Sequence, residues 1–352
     1  MNTMKNRRSS HLASSVLVAT LLALGQPLLS TAEEHIGATE EHPIYTATGA
    51  FTAEGKPHFP GLNTKTNRLY VSDTEAGAVT VFDVTEGTKI TKIQTGAGAH
   101  TVMVDEIDNL IYVTNKGANT LSIIDGESNN KIADVPVGKS PHGLALDFDH
   151  DRAYVSNTAS NNVSVVDTAH RKVVKTIAAG AGPWGVALDE ENNWLYTSNT
   201  DEGSVSRINP VTGKTLAKIA VPGRPWNLKV SKETQAVYVT NESTGTVSVI
   251  ADDKVALTIP DVGKGLHGII LDDERQLAFV AATASNQIAV IDTKENKVIQ
   301  TFSVPAGPTA LAGDPQKNIF YVAHQEANVI TVVKKQEKTE GELILISAIA
   351  SR

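Results

Sequence analysis

The chain has 352 residues, 41% hydrophobic and 20% charged, with a formal net charge of −8 and no cysteine. This is globular composition, long enough for a large core, and the acidic balance without any basic run gives little electrostatic footprint for nucleic acid or an anionic membrane. Without cysteine there are no disulfides, thiolate metal sites, iron–sulfur clusters or cysteine nucleophile.

Residues 1–32 carry the pattern of an export signal peptide. A basic start (Lys5, Arg7, Arg8) precedes an apolar run from Leu12 to Leu24, and small residues follow at Ser30 and Ala32. The run is too short to span a bilayer, no stop-transfer pattern follows it, and no Cys is present for a lipid anchor. Cleavage after Ala32 would leave a mature chain near −11, and the expected location is the bacterial periplasm. A buried N-terminal helix is the competing reading. Residues 33–43 form a short extension, and residues 44–352 are the folded body.

Ile44-Tyr-Thr-Ala-Thr-Gly-Ala50 reads as a lone strand. After it the sequence repeats. The phrase Tyr-Val-Thr/Ser-Asn/Asp begins at Tyr70, Tyr112, Tyr154, Tyr196 and Tyr238, with degenerate copies at Phe279 and Tyr321. The spacing is 42 residues at every step but one, which is 41. Within the third copy, His142-Gly-Leu-Ala-Leu-Asp147 alternates and a polar turn leads to Ala153-Tyr-Val-Ser-Asn157. A second turn leads to Val163-Ser-Val-Val-Asp167, and Lys172-Val-Val-Lys-Thr-Ile177 runs into a Gly/Ala link. Short β-branched runs between Asn, Asp and Gly turns are strands in hairpins. Four strands in about 42 residues make one blade, so seven copies predict an all-β, seven-bladed β-propeller of four-stranded antiparallel blades. Closing the ring protects the edges that an open array would expose. The strand at 44–50 is expected to complete the last blade beside Tyr321 and Ile330, with the tail Glu342-Leu-Ile-Leu-Ile-Ser347 competing for that slot.

The phrases Tyr112-Val-Thr-Asn115 and Tyr238-Val-Thr-Asn241 resemble the signature of the YVTN-repeat propellers, and the exported layout is similar to the YncE group. The resemblance covers the mature chain and implies the fold. It implies little about activity, because one fold serves many roles.

If the first strand of each blade is innermost, its start faces a channel mouth. Counting twelve residues back from each repeat aromatic gives His58, His100, His142, Trp184, Trp226, His267 and Thr309. The loop after the second strand emerges at the same end, carrying Asp73, Asn115, Asn157, Asn199, Asn241 and His324. The recurring Asn reads as a strand terminator. The His/Trp register has two readings. In one it merely closes the channel. In the other it binds: a metal ion (copper, zinc or iron) on His58, His100, His142 and His267, with His324 nearby, or a small molecule or partner protein against the Trp wall.

The expected function is thus a monomeric binding or scaffold propeller with its channel mouth as the working face. A metal-dependent enzyme of lyase or lactone hydrolase type at the same ring is one alternative, with Asp73 and Glu202 as its candidate acid/base carboxylates. A single-stranded nucleic-acid binder using Trp184 and Trp226 is the other, disfavoured by charge. Two motifs fail on context. Gly180-x-Gly182-x-x-Gly185 lies between strands with no helix following, and Asp147-x-Asp149-x-Asp151 lacks the Gly and Glu of a calcium loop. The Asp that recurs as Asp105, Asp147, Asp189, Asp272 and Asp314 is structural, since a catalytic residue would not repeat in five blades.

Overall fold

The turns set the strand lengths. In the computed structural model, which describes residues 42–53 and 55–337, the residue three places before each repeat aromatic has a φ between 52° and 59°. These residues are Asn67, Asn109, Asp151, Asn193, Gln235, Gln276 and Asn318. Seven places after the aromatic, Gly77, Asn119, Asn161, Gly203, Gly245, Asn286 and Asn328 are again left-handed, a conformation Gly and Asn adopt at least cost. The first of these turns is also capped. Asp105, Asp147, Asp189, Asp272 and Asp314 each accept the backbone N–H three residues on. Asn63 and Ser231 do the same in the other two blades.

Between these turns lie seven four-stranded antiparallel sheets. Each of the first six blades is contiguous in sequence, running for example from Pro141 to Ala178 in blade 3. The seventh holds three strands from Pro308 to Lys335 and takes its outer strand from the N-terminal side, Tyr45–Thr52. This strand pairs antiparallel with Val329–Lys335, from Tyr45 opposite Lys335 to Thr52 opposite Val329, with a bulge between Ala47 and Gly49. The closing strand is therefore the expected one. The signal-peptide segment 1–32 and the tail 342–347 lie outside the described residues.

The core is divided among the seven blade interfaces. On the second strand, the repeat aromatic faces the next blade and its two neighbours face the previous one, as strand alternation requires. Tyr70 packs with Ala99, Val102 and Ile111 of blade 2, whereas Leu69 and Val71 pack with Tyr321 and Ile330 of blade 7. Every second strand is consequently buried on both faces. At the closing interface Tyr45 is fully buried, edge-on to Phe279 at 4.8 Å and Phe320 at 5.7 Å. Its backbone exchanges hydrogen bonds with the Gln300 amide of blade 6 (2.9 and 2.7 Å).

The first strands stand side by side around the axis, blade 1 against blade 7 included. Helical structure among the described residues is limited to two 3₁₀ turns, Thr158–Ser160 and Thr283–Ser285. No helix among them is long and apolar enough to cross a membrane.

Candidate functional site

The register that begins each first strand forms a crown at one end of the channel. Ring centroids are 4.4 Å apart for His58 and His100, and 4.6 Å for His100 and His142. The run continues at 3.7 Å from His142 to Trp184, 4.1 Å from Trp184 to Trp226, and 4.8 Å from Trp226 to His267, the last pair nearly parallel. Thr309 occupies the seventh place, and its hydroxyl donates to the His58 carbonyl at 2.6 Å. His100, His142 and Thr309 are buried, while His58, Trp184, Trp226 and His267 keep part of their surface exposed. Phe59 joins the crown at 5.3 Å from His100.

The repeat phrase holds these residues in place. Its third residue, Thr or Ser, bridges two blades through one hydroxyl. In blade 4, Ser198 Oγ accepts the Gly185 N–H at 2.8 Å and donates to the Trp226 carbonyl at 2.6 Å. Ser72, Thr114, Ser156 and Thr240 likewise donate to the carbonyls of His100, His142, Trp184 and His267. Replacing Ser198 by Ala strands a buried N–H and a buried carbonyl, at a cost of about 1–3 kcal/mol. Urea unfolding should show that loss, together with a shift in tryptophan emission. Unchanged stability would mean that the bridge does not hold the crown.

The fourth residue of the phrase has a different task. Asn115, Asn157, Asn199 and Asn241 are fully buried, and each donates its amide to two side chains of the third strand, such as Ser204 and Ser206 for Asn199. His324 stands in this same slot in blade 7, with Nδ1 bonded to the Pro305 carbonyl at 2.8 Å. The structure therefore brings His58, His100, His142, Trp184, Trp226, His267 and Thr309 together, and sets His324 apart from them.

Burial is the main influence on every histidine of the crown. It holds His58 and His142 down to about 3, with cationic Lys116 adding to the effect at both. His100 falls well below the usual range, and His267, beside Arg224, falls to about 4. The crown is therefore uncharged at neutral pH. Nδ1 of His142 lies 3.0 Å from the Ser140 carbonyl, and its buried Nε2 has no partner. Such a nitrogen suits a metal, yet the imidazoles are strung along the ring in tilted and edge-on contact with one another. Among the described residues no group of three or more His, Asp or Glu side chains is placed to hold a metal ion.

Both carboxylates considered for acid/base work are already paired. Asp73 is buried, 2.8 Å from Lys92 Nζ, and also accepts the N–H groups of Lys56 and Ala76. Burial raises its pKa, but Lys92 and the two amides outweigh that and leave it lowered. Glu202 is bonded to Lys218 first and Ser204 second, which also lowers its pKa. Neither is the half-protonated group that acid/base catalysis needs.

Cations flank the crown: Lys116 Nζ lies 5.7 Å from the Trp184 ring centroid, and the Arg224 guanidinium carbon 5.2 Å from that of Trp226. Beneath it lies an axial cavity of about 240 Å³ lined by first-strand residues of all seven blades, from Phe59 and Trp184 at the crown to Gly313. Sequence reasoning missed one of its residues, Lys229. The signal was in the register. The same position holds Gly61, Met103, Ala145, Ala187, Ile270 and Ala312 in the other blades.

Residues 61–194 match the model of the YNCE-like beta-propeller family, which agrees with the resemblance read from the repeats. No curated protein matches the sequence. Among solved structures, one titled Kuenenia stuttgartiensis Hydrazine Synthase superposes with a TM-score of 0.66 at 16% identity, covering 83% of this chain and 99% of that one. At that identity the likeness is one of fold.

Proposed function

We propose that this protein is an exported binding propeller whose crown stacks a small, planar, negatively charged ligand. The observation that carries the reading is the unbroken run of six rings, part-exposed at Trp184 and Trp226, with Lys116 and Arg224 beside those two rings. Aromatic faces favour flat partners in offset contact, and the two cations favour a negative edge. A run of neighbouring, uncharged rings suits such a ligand better than it suits a metal ion. The paired state of Asp73 and Glu202 supports binding over catalysis. Export is supported by the pattern of residues 1–32.

Calorimetric titration with 2-naphthoate tests the reading, with cyclohexanecarboxylate as the non-planar carboxylate control. Naphthoate is expected to bind at least tenfold more tightly than the control, and Trp226→Ala to remove that preference. Equal binding of the two acids, or none, would overturn it. If an oligothymidylate bound more tightly than naphthoate, with strong salt dependence, the crown would be a nucleic-acid site instead.

A further inference from the structure

Among the described residues lining the axial cavity, Lys229 is the one that carries a charge. Apolar side chains line part of the wall around it, Val102, Leu144, Ile269 and Leu311 coming from four different blades, and polar groups line the rest. Asn227 and Thr101 add polar groups on the crown side. Among the described residues the Lys229 ammonium has no hydrogen-bond or ion-pair partner, although the chain carries an excess of acids.

Lys229 also lines a second cavity, of about 280 Å³, with Val230, Leu271, Asp273, Pro315 and Phe320. Val230, Leu271 and Pro315 lie at the far ends of the first strands of blades 5, 6 and 7, or just beyond. The lysine thus stands where the axial cavity meets the end opposite the crown. Asp273 is the other charged group facing this space. It is already occupied, accepting Ser231 Oγ at 2.6 Å and the Lys232 N–H at 3.1 Å.

A half-buried cation without a partner, beside apolar side chains, is stabilised when a counter-charge arrives. Pockets that hold small ligands combine apolar walls with a few placed polar groups. We propose that the axial cavity binds a small aliphatic carboxylate, its oxygens on Lys229 Nζ and its hydrocarbon chain along the Val102, Leu144 and Leu311 walls. Entry is from the end opposite the crown, so this site is separate from the one proposed above. Burial lowers the Lys229 pKa, and an arriving carboxylate raises it again. Affinity for a carboxylate therefore falls as pH rises through the lowered value.

The test is calorimetry of the protein with butyrate and its neutral isostere butyramide, at neutral and at alkaline pH. Butyrate is expected to bind at least tenfold more tightly than butyramide, with a preference that shrinks at alkaline pH. Lys229→Met keeps the length of the stem and removes the charge. It should stay folded by thermal unfolding, lose the preference for butyrate, and leave naphthoate binding unchanged. Trp226→Ala should do the reverse. Equal binding of butyrate and butyramide by the unaltered protein, no binding of either, or an undiminished preference in Lys229→Met would each overturn the proposal.

Discussion

Lowering the pH from 7 to 4.5 is expected to destabilise the folded protein steeply, before most of its carboxylates titrate. The reason lies in the crown. His58, His100, His142 and His267 have folded-state pKa values held far below the ordinary 6.5, chiefly by burial, and so does His324. As pH falls below 6.5 the unfolded chain takes up protons that the folded chain refuses. Stability is then fully present above 6.5 and is lost progressively towards the folded values near 3 to 4. The two fully buried members, His100 and His142, together contribute about 3 kcal/mol per pH unit in this window, against a typical total stability of about 5–15 kcal/mol. Other groups interfere little. The lowered carboxylates, Asp73 and Glu202 among them, lose their contribution only below about pH 4. His150, paired with Asp147 at the surface, shifts upward and works in the opposite sense. Urea midpoints measured from pH 8 to 4.5 should fall with acidification, and a His100→Phe, His142→Phe double variant should flatten the curve. A midpoint that holds constant down to pH 4.5 would mean that the crown accepts protons without strain.

Removing the closing strand should be more damaging still. A chain beginning at Ala53 loses the whole ladder against Val329–Lys335 and the burial of Tyr45 between Phe279 and Phe320. It also loses Phe51, which stacks on Phe82 of blade 1. Truncating one large buried aromatic costs about 3–5 kcal/mol, so the combined loss reaches the whole stability of an ordinary domain. The exposed edge at Val329–Lys335 then becomes a template for association. The expected outcome is aggregated or unfolded protein by sedimentation and circular dichroism, and Tyr45→Ala alone should lower stability by about 3–5 kcal/mol. A soluble monomer with an unaltered melting midpoint would show that another segment, such as 342–347, can take the slot.

The blades were legible because a 42-residue period, alternating strands and Asn/Gly turns all point the same way. The crown was legible too, since counting back from each repeat aromatic selects seven residues that the fold does bring together. What letters could not convey was depth. His324 keeps the register of the recurring Asn, and only the three-dimensional slot shows it bonded to Pro305 rather than stacked on the ring. Asp73 and Glu202 look available in sequence because their partners, Lys92 and Lys218, arrive from the outer strand of the same blade. Lys229 reads as an ordinary strand lysine until it is set beside the uncharged residues of the other six blades. The bridging role of the Ser and Thr in the repeat phrase leaves no mark in the sequence, because the carbonyls they hold belong to the neighbouring blade.

The ring closure also sets a timetable. Tyr45–Thr52 is made before any blade, yet its partner Val329–Lys335 comes nearly three hundred residues later. Blades 1 to 6 can each form from contiguous chain as it emerges, the kind of local assembly that proceeds quickly. The strand Tyr45–Thr52 has no such option and must wait for its ladder until the chain has emerged as far as Lys335. The earliest of the described strands is thus the last to find its partner, and until it does the open edge at Val329–Lys335 invites association with other chains.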